Sequence, residues 1–236
     1  MNAFRAMLFV SLFFLVACGP QEPIRLGFIG GLSGRVADLG EAGRNGAQIA
    51  IEEINQAGGI GGRKVELVVR DDEQSPEKAI AAVEELIALR VEAIVGPMTS
   101  AMAEAIMPIS EKAGMVLVAP TVTARKFFGL ADNFFLIMSS TRDDAGLSAS
   151  FHYDSSGFRR LAAIYDMKNR AYTESWLEDF TVPFQELGGN VVPVPFLSTP
   201  EAKLGEIVDK ALESVPDAIV MITGAADAAK LAEKIR

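Results

Sequence analysis

The sequence predicts an α/β fold built from mainly parallel sheets with helices on both faces. Three observations carry that prediction. Short apolar runs alternate with longer amphipathic runs along almost the whole chain. Glycine, proline or acidic residues punctuate the ends of the apolar runs. Hydroxyl-bearing loops follow two successive runs, where the carboxyl ends of parallel strands would lie. Of 236 residues, 50% are hydrophobic, which is ample for a core in one large or two smaller domains.

Met1–Ala17 is read as a targeting segment and set apart from the fold. Arg5 supplies a positive start, and Met7–Ala17 is apolar but well short of the ~20 residues a spanning helix needs. Residues 1–17 are therefore expected to be a signal peptide. Leu15-Val16-Ala17-Cys18-Gly19 resembles the bacterial lipobox, in which the cysteine is lipid-modified and the preceding peptide removed. Cys18 is the single cysteine, so it forms no internal disulfide. Lipid on Cys18 would hold the chain at a membrane surface, with residues 18–23 as a polar, proline-containing tether.

Ile24–Gly30 reads as a buried strand. A glycine-rich and then polar loop, which includes Ser33, leads to a helix from Glu41 to Ala57. Ala47, Ala50, Ile51, Ile54 and Ala57 form its apolar face. Lys64–Arg70 is the second strand and ends at Asp71-Asp72, a pair expected to be solvated or to cap a turn. Ser75-Pro76 is an N-cap followed by proline at the first helical position. The helix it opens runs to Arg90, and Ala93–Val95 is strand three.

Gly96–Thr123 is the stretch around which the chain is organised. Ser100 begins a helix, in which Pro108 predicts a kink or restart. Met115–Ala119 is a buried strand, and Pro120–Thr123 a second hydroxyl-bearing loop. Free amides and the positive dipole end at a helix start suit an anion such as a carboxylate. Ser100 and Thr123 form the first candidate binding pair, although Ser100 also suits an N-cap and Thr123 a loop hydroxyl.

Phe134–Met138 is a strand, and the polar run Ser139–Asp144 precedes a helix through Tyr153. A second cycle follows: a strand at Leu161–Tyr165, a polar loop at Met167–Tyr172 and a helix from Thr173 to Leu187. Next come a strand at Val191–Pro195, a helix capped by Thr199-Pro200, a strand at Ala218–Ile222 and a helix from Ala226. Two lobes are expected, residues 24–140 and 141–236.

The formal charge of −9 and the lack of a basic stripe argue against nucleic-acid binding. His152 is the sole histidine and has no nucleophile motif beside it, which argues against a Ser/His/Asp site. The glycines from Gly27 to Gly34 do not make Gly-x-Gly-x-x-Gly, and no Cys/His metal spacing occurs, so no cofactor or metal is expected.

Several segments resemble the branched-chain amino-acid type of extracytoplasmic solute-binding proteins of ABC transporters. They are Asn45-Gly46-Ala47 through Asn55, Gly58-Gly59-Ile60-x-Gly62-Arg63, Asp71 with Pro76, and Gly96-Pro97-x-x-Ser100. Pro108-Ile109-x-Glu111-x-Ala113-Gly114 and Pro120-x-x-Thr123 complete the set. The resemblance implies a two-lobed type I periplasmic-binding fold that closes on a small solute, with an ABC permease as partner and no covalent chemistry. It implies that Ser100, Thr121 and Thr123 hold the carboxylate and ammonium of an amino acid, and that Tyr172 closes over it. Ser33 could contact solute from the first loop. Leu39 and Ala225 stand where amino-acid binders often carry aromatics. The acid that pairs the ammonium, and the return crossings of both lobes, would come after Arg236, so an incomplete member is expected.

Overall fold

The structure, a computed structural model, describes residues 21–235. The expected signal peptide and the lipidation site Cys18 lie outside the described residues. At the end of the expected tether, the Arg63 guanidinium donates to the Glu22 carbonyl at 2.9 Å.

Five parallel strands form the first sheet in the order β2-β1-β3-β4-β5. They are β1 (Ile24–Gly30), β2 (Val65–Asp71), β3 (Ala93–Val95), β4 (Leu117–Ala119) and β5 (Phe134–Leu136). Ile24 pairs with Val65 and Gly30 with Asp71, so β1 and β2 end level and their following loops emerge side by side. Three parallel strands form the second sheet in the order β7-β6-β8: β6 (Arg160–Asp166), β7 (Asn190–Phe196) and β8 (Ala218–Ile222). All-parallel sheets need both faces covered, and β6 displays this directly. Leu161 and Ala163 enter one buried cluster with Phe180 and Phe184, while Ala162 and Ile164 enter another with Val194 and Val208.

Among the described residues, six α-helices connect strands and a seventh follows β8: α1 (Ala37–Gln56), α2 (Pro76–Ala88), α3 (Ser100–Lys112), α4 (Thr141–Asp154), α5 (Arg170–Glu186), α6 (Leu204–Leu212) and α7 (Ala225–Ile235). α2 buries Ala79, Ala82, Val83 and Leu86, one helical stripe against the first core. Ser75 caps it as expected, its hydroxyl accepting from the Lys78 amide at 3.4 Å. Among the described residues, no helix is long and apolar enough to cross a membrane.

Several elements depart from the sequence reading. α1 starts at Ala37, after a single 3-10 turn at Gly34–Val36, and not at Glu41. Of its expected apolar face only Ile51 is buried. Thr99 is the N-cap of α3, which makes Ser100 its first helical residue. Pro108 sits on the exposed side of α3, and the helix runs through it without a restart. Asp71 and Asp72 do cap the following turn, accepting from the Glu73 amide at 2.9 Å and the Gln74 amide at 2.8 Å, but Asp72 is fully buried and not solvated. Thr199-Pro200 caps nothing: α6 begins four residues later, with Lys203 at the N-cap. Tyr172 is not in a loop. Asp166 caps a 3-10 turn at Met167–Asn169, and α5 already begins at Arg170, so Tyr172 lies in its first turn.

Candidate functional site

The loops after β1, β2, β3 and β4 all emerge at one end of the first sheet, opposite the loops after β6, β7 and β8. Between them lie two adjoining cavities of about 340 and 350 Å³. The smaller is lined by Met98, Ser100, Thr121 and Thr123 from the first sheet's loops, and by Tyr172 and Trp176 from α5. The larger lies over β1 and β2 and is lined by Ser33, Val36 and Gln74, facing Asp166, Ser198 and Pro200. Leu39, Thr99, Asn169 and Tyr172 line both.

Four of the five expected solute contacts thus meet in one cavity: Ser100, Thr121, Thr123 and Tyr172. Ser33 lies in its neighbour. Ser100 is buried, and its hydroxyl oxygen accepts from the Ala124 amide at 3.4 Å, which joins the two hydroxyl loops. Thr121 donates its hydroxyl to the Met98 carbonyl at 2.6 Å, so its side chain braces the loop after β3. The Thr123 carbonyl accepts from the Thr141 amide at 2.8 Å and anchors the crossing into α4.

The positive end of α3 faces this cavity, but one of its free amides is already engaged. The Ala101 N–H donates to Asn169 Oδ1 at 3.0 Å, from the opposite side of the crevice. Asn169 occupies the N-cap position of α5, yet its side chain does not cap that helix. Thr99 donates its hydroxyl to Gln74 Oε1 at 3.1 Å, and Gln74 in turn donates to buried Asp72. Glu73 and Gln74 both have left-handed backbones, at φ 47° and 53°, which turns Gln74 into the crevice.

Burial pushes the Tyr172 phenol up, and the nearby Asp144 charge adds to the effect, so Tyr172 presents a protonated hydroxyl. Burial also pushes the Asp71 carboxyl up. Bonds from the Ser33 hydroxyl and from the Glu73, Leu32 and Ser33 amides outweigh this and hold it below the usual range. Ser33 therefore belongs to the turn around Asp71 as well as to the cavity wall. Burial raises the Asp72 carboxyl despite its bonds from Gln74.

Two arginines form ion pairs across the crevice. Arg35, in the loop before α1, pairs with buried Asp227 of α7 and donates to the Thr199 carbonyl. Arg125 pairs with Asp179 and Glu178 of α5. Neither arginine's pairing was legible in the sequence, because the partners are far apart along the chain. Asp144 and Asn169 were also missed. Both lie in polar runs, and only the fold turns them towards the cavity. His152 lies away from both cavities, with its ring stacked on Phe158 and bonded to the Ser156 hydroxyl. Among the described residues, no cluster of metal-ligating side chains occurs.

Comparison with known proteins points the same way. The Leu/Ile/Val-binding protein of Rhizobium johnstonii is 33% identical over 147 residues, covering 61% of this chain and 39% of that protein. A leucine-binding protein from Thermotoga maritima superposes with a TM-score of 0.76 at 26% identity, over 84% of this chain and 55% of that one. A branched-chain amino-acid substrate-binding protein from Streptococcus pneumoniae, solved with isoleucine, gives 0.74 at 25% identity, over 84% and 56%. The chain thus spans only part of the length of the relatives it matches. The family described as periplasmic binding protein matches residues 23–236. Parallel sheets facing each other across a lined crevice, together with that match over nearly the whole chain, make this protein a member of the periplasmic binding protein family.

Proposed function

We propose that the chain binds a small carboxylate-bearing solute, by default a branched-chain or related amino acid, and delivers it to an ABC permease. The observation that carries this reading is the meeting of Ser100, Thr121, Thr123 and Tyr172 around one cavity at the start of α3. The Ser100 hydroxyl and the α3 amides would hold the carboxylate, with the Thr123 loop on its other side. Tyr172 would donate from the facing side. Asp144 lines the same cavity and is the acid placed to attract an ammonium.

In this reading residues 24–140 and 141–236 act as two lobes, and solute shifts them towards the closed form. The protein changes no covalent bond, so it is a carrier and not an enzyme. The names of the relatives support the solute class, and the family's extracytoplasmic setting supports capture outside the cytoplasmic membrane. A lipid anchor on Cys18 would tether the chain near its permease.

Calorimetric titration with L-leucine tests the reading. The unaltered chain is expected to bind, and the Ser100→Ala/Thr123→Ala double variant to bind at least tenfold more weakly. That follows from losing hydrogen bonds to a charged group, worth roughly 1.5–3 kcal/mol each. Equal affinity in the two proteins would overturn the assignment of this seat.

A further inference from the structure

The larger cavity adjoins the proposed carboxylate seat, and three hydrogen-bond donors in its wall lack a partner in the protein. The Thr223 hydroxyl and Arg35 Nε are buried and unbonded. Lys168 donates its backbone amide to Asp166 Oδ1 at 2.9 Å, yet among the described residues its ammonium makes no ion pair. The three come from separate loops. Arg35 follows β1, Lys168 follows β6 and Thr223 follows β8, so both sheets supply donors to one space.

The acids of the same wall are already engaged. Asp166 Oδ1 also accepts from the Ser198 amide at 3.0 Å. Asp227 pairs with Arg35 and accepts from the Ser198 hydroxyl at 2.6 Å. Glu73 pairs with Lys78. Donors are therefore left over where each acid has a partner. Guanidinium and ammonium groups have no lone pair to offer, so only an acceptor satisfies them. A buried donor left unmet is costly, and a purely apolar solute tail would leave it so. An oxygen at the end of the tail would remove that cost, and sites built to bond such a group reject analogues that lack it.

We propose that the larger cavity reads the far end of the same solute, and that this end carries a hydrogen-bond-accepting oxygen, as in a carboxylate or a carboxamide, set against Thr223, Arg35 and Lys168. This rests on the carboxylate seat proposed above. Strand spacing suits a short tail. Neighbouring strands are about 4.8 Å apart, so the loop after β1 stands roughly 7 Å from the β3–β4 boundary, a span on the scale of a six-carbon amino acid.

The test compares three probes of one chain length on the full chain by calorimetry: L-2-aminoadipate, its ω-carboxamide and L-norleucine, in which a methyl group replaces the terminal carboxylate. The two oxygen-bearing probes are expected to bind at least tenfold more tightly than L-norleucine, a difference of about 1.4 kcal/mol. Their order between themselves tells whether the anion or the neutral amide is preferred, and either order upholds the acceptor. Thr223→Val removes the hydroxyl at nearly constant shape and should bring the ratio of L-2-aminoadipate to L-norleucine affinity towards one. Lys168→Met, at an exposed position, serves the same end if Thr223→Val does not fold by circular dichroism. L-norleucine bound as tightly as both other probes overturns the tail proposal and leaves the carboxylate seat standing. A ratio unchanged in the folded variants also overturns it. Failure of all three probes and of L-leucine overturns the seat and the tail site together.

Discussion

At the residue scale, Asp71 and Asp72 show how one strand end yields two opposite carboxyls. Asp71 collects bonds from Ser33 and three amides, and its acidity is strengthened in the fold despite burial. Its contribution to stability is present above its unfolded pKa and is lost as pH falls through the folded value. Asp72 is the reverse case, because burial lifts its pKa and one carboxylate oxygen has no partner. The folded state holds its proton more tightly than the unfolded chain, so Asp72 costs stability as pH rises past the unfolded value of ~3.9. Asp72→Asn keeps an acceptor for Gln74 and removes the charge. Its melting temperature is expected to exceed that of the unaltered chain at pH 7, with the gap closing as pH drops below 4. A gap that widens on acidification would contradict this account of Asp72.

At the element scale, the crevice depends on how closely α1 approaches the end of β1. Gly40 sits in the first turn of α1, and a Cβ there would lie 2.0 Å from the Gly31 carbonyl oxygen. That contact is backbone, so no side-chain rotation relieves it. Gly40→Ala is expected to push α1 and the Ser33–Val36 turn away from β1, which distorts the second cavity. Thermal unfolding should show a loss of stability on the order of 1–3 kcal/mol, the range for overpacking. An alanine variant with unaltered melting temperature would show that α1 is not held this tightly. Gly96 meets a similar demand after β3, where φ is 117° and a Cβ would strike the Ile29 carbonyl. The loop that delivers Ser100 therefore starts from a position suited to glycine.

At the scale of the whole molecule, ion pairs join the two sides of the crevice. Arg35 pairs with Asp227, whose side chain is 3% exposed, while Arg35 itself is 23% exposed. Removing one partner of a buried pair leaves an uncompensated charge, worth several kcal/mol at full burial and less here. In the proposed two-lobe reading, opening the crevice would hydrate Asp227, so Arg35→Ala would shift the balance towards the open form. The expected outcome is a larger radius of gyration by small-angle scattering in the presence of L-leucine, with affinity lowered about tenfold. An unchanged radius and affinity would assign closure to other contacts, Arg125 with Asp179 first among them.

What the sequence determined by itself was periodic and local. The apolar runs of β1, β6 and β8, the Ser75-Pro76 start of α2 and the hydroxyl loops at Ser100 and Thr123 all have nearest-neighbour causes, so all were legible. Boundaries failed where one signal overrode another. Tyr172 moved into a helix because Asp166 caps the turn just before it, and Thr99 took the cap expected of Ser100 while bonding to Gln74 of the neighbouring loop in the same sheet. The tertiary structure alone decided that Asn169 bonds to the start of α3, that Arg35 reaches Asp227, and that two cavities share Leu39. Those pairings join residues tens to hundreds of positions apart. Only the ordering of parallel strands and their crossing helices brings such residues within hydrogen-bond distance, and periodicity along the chain carries no record of it.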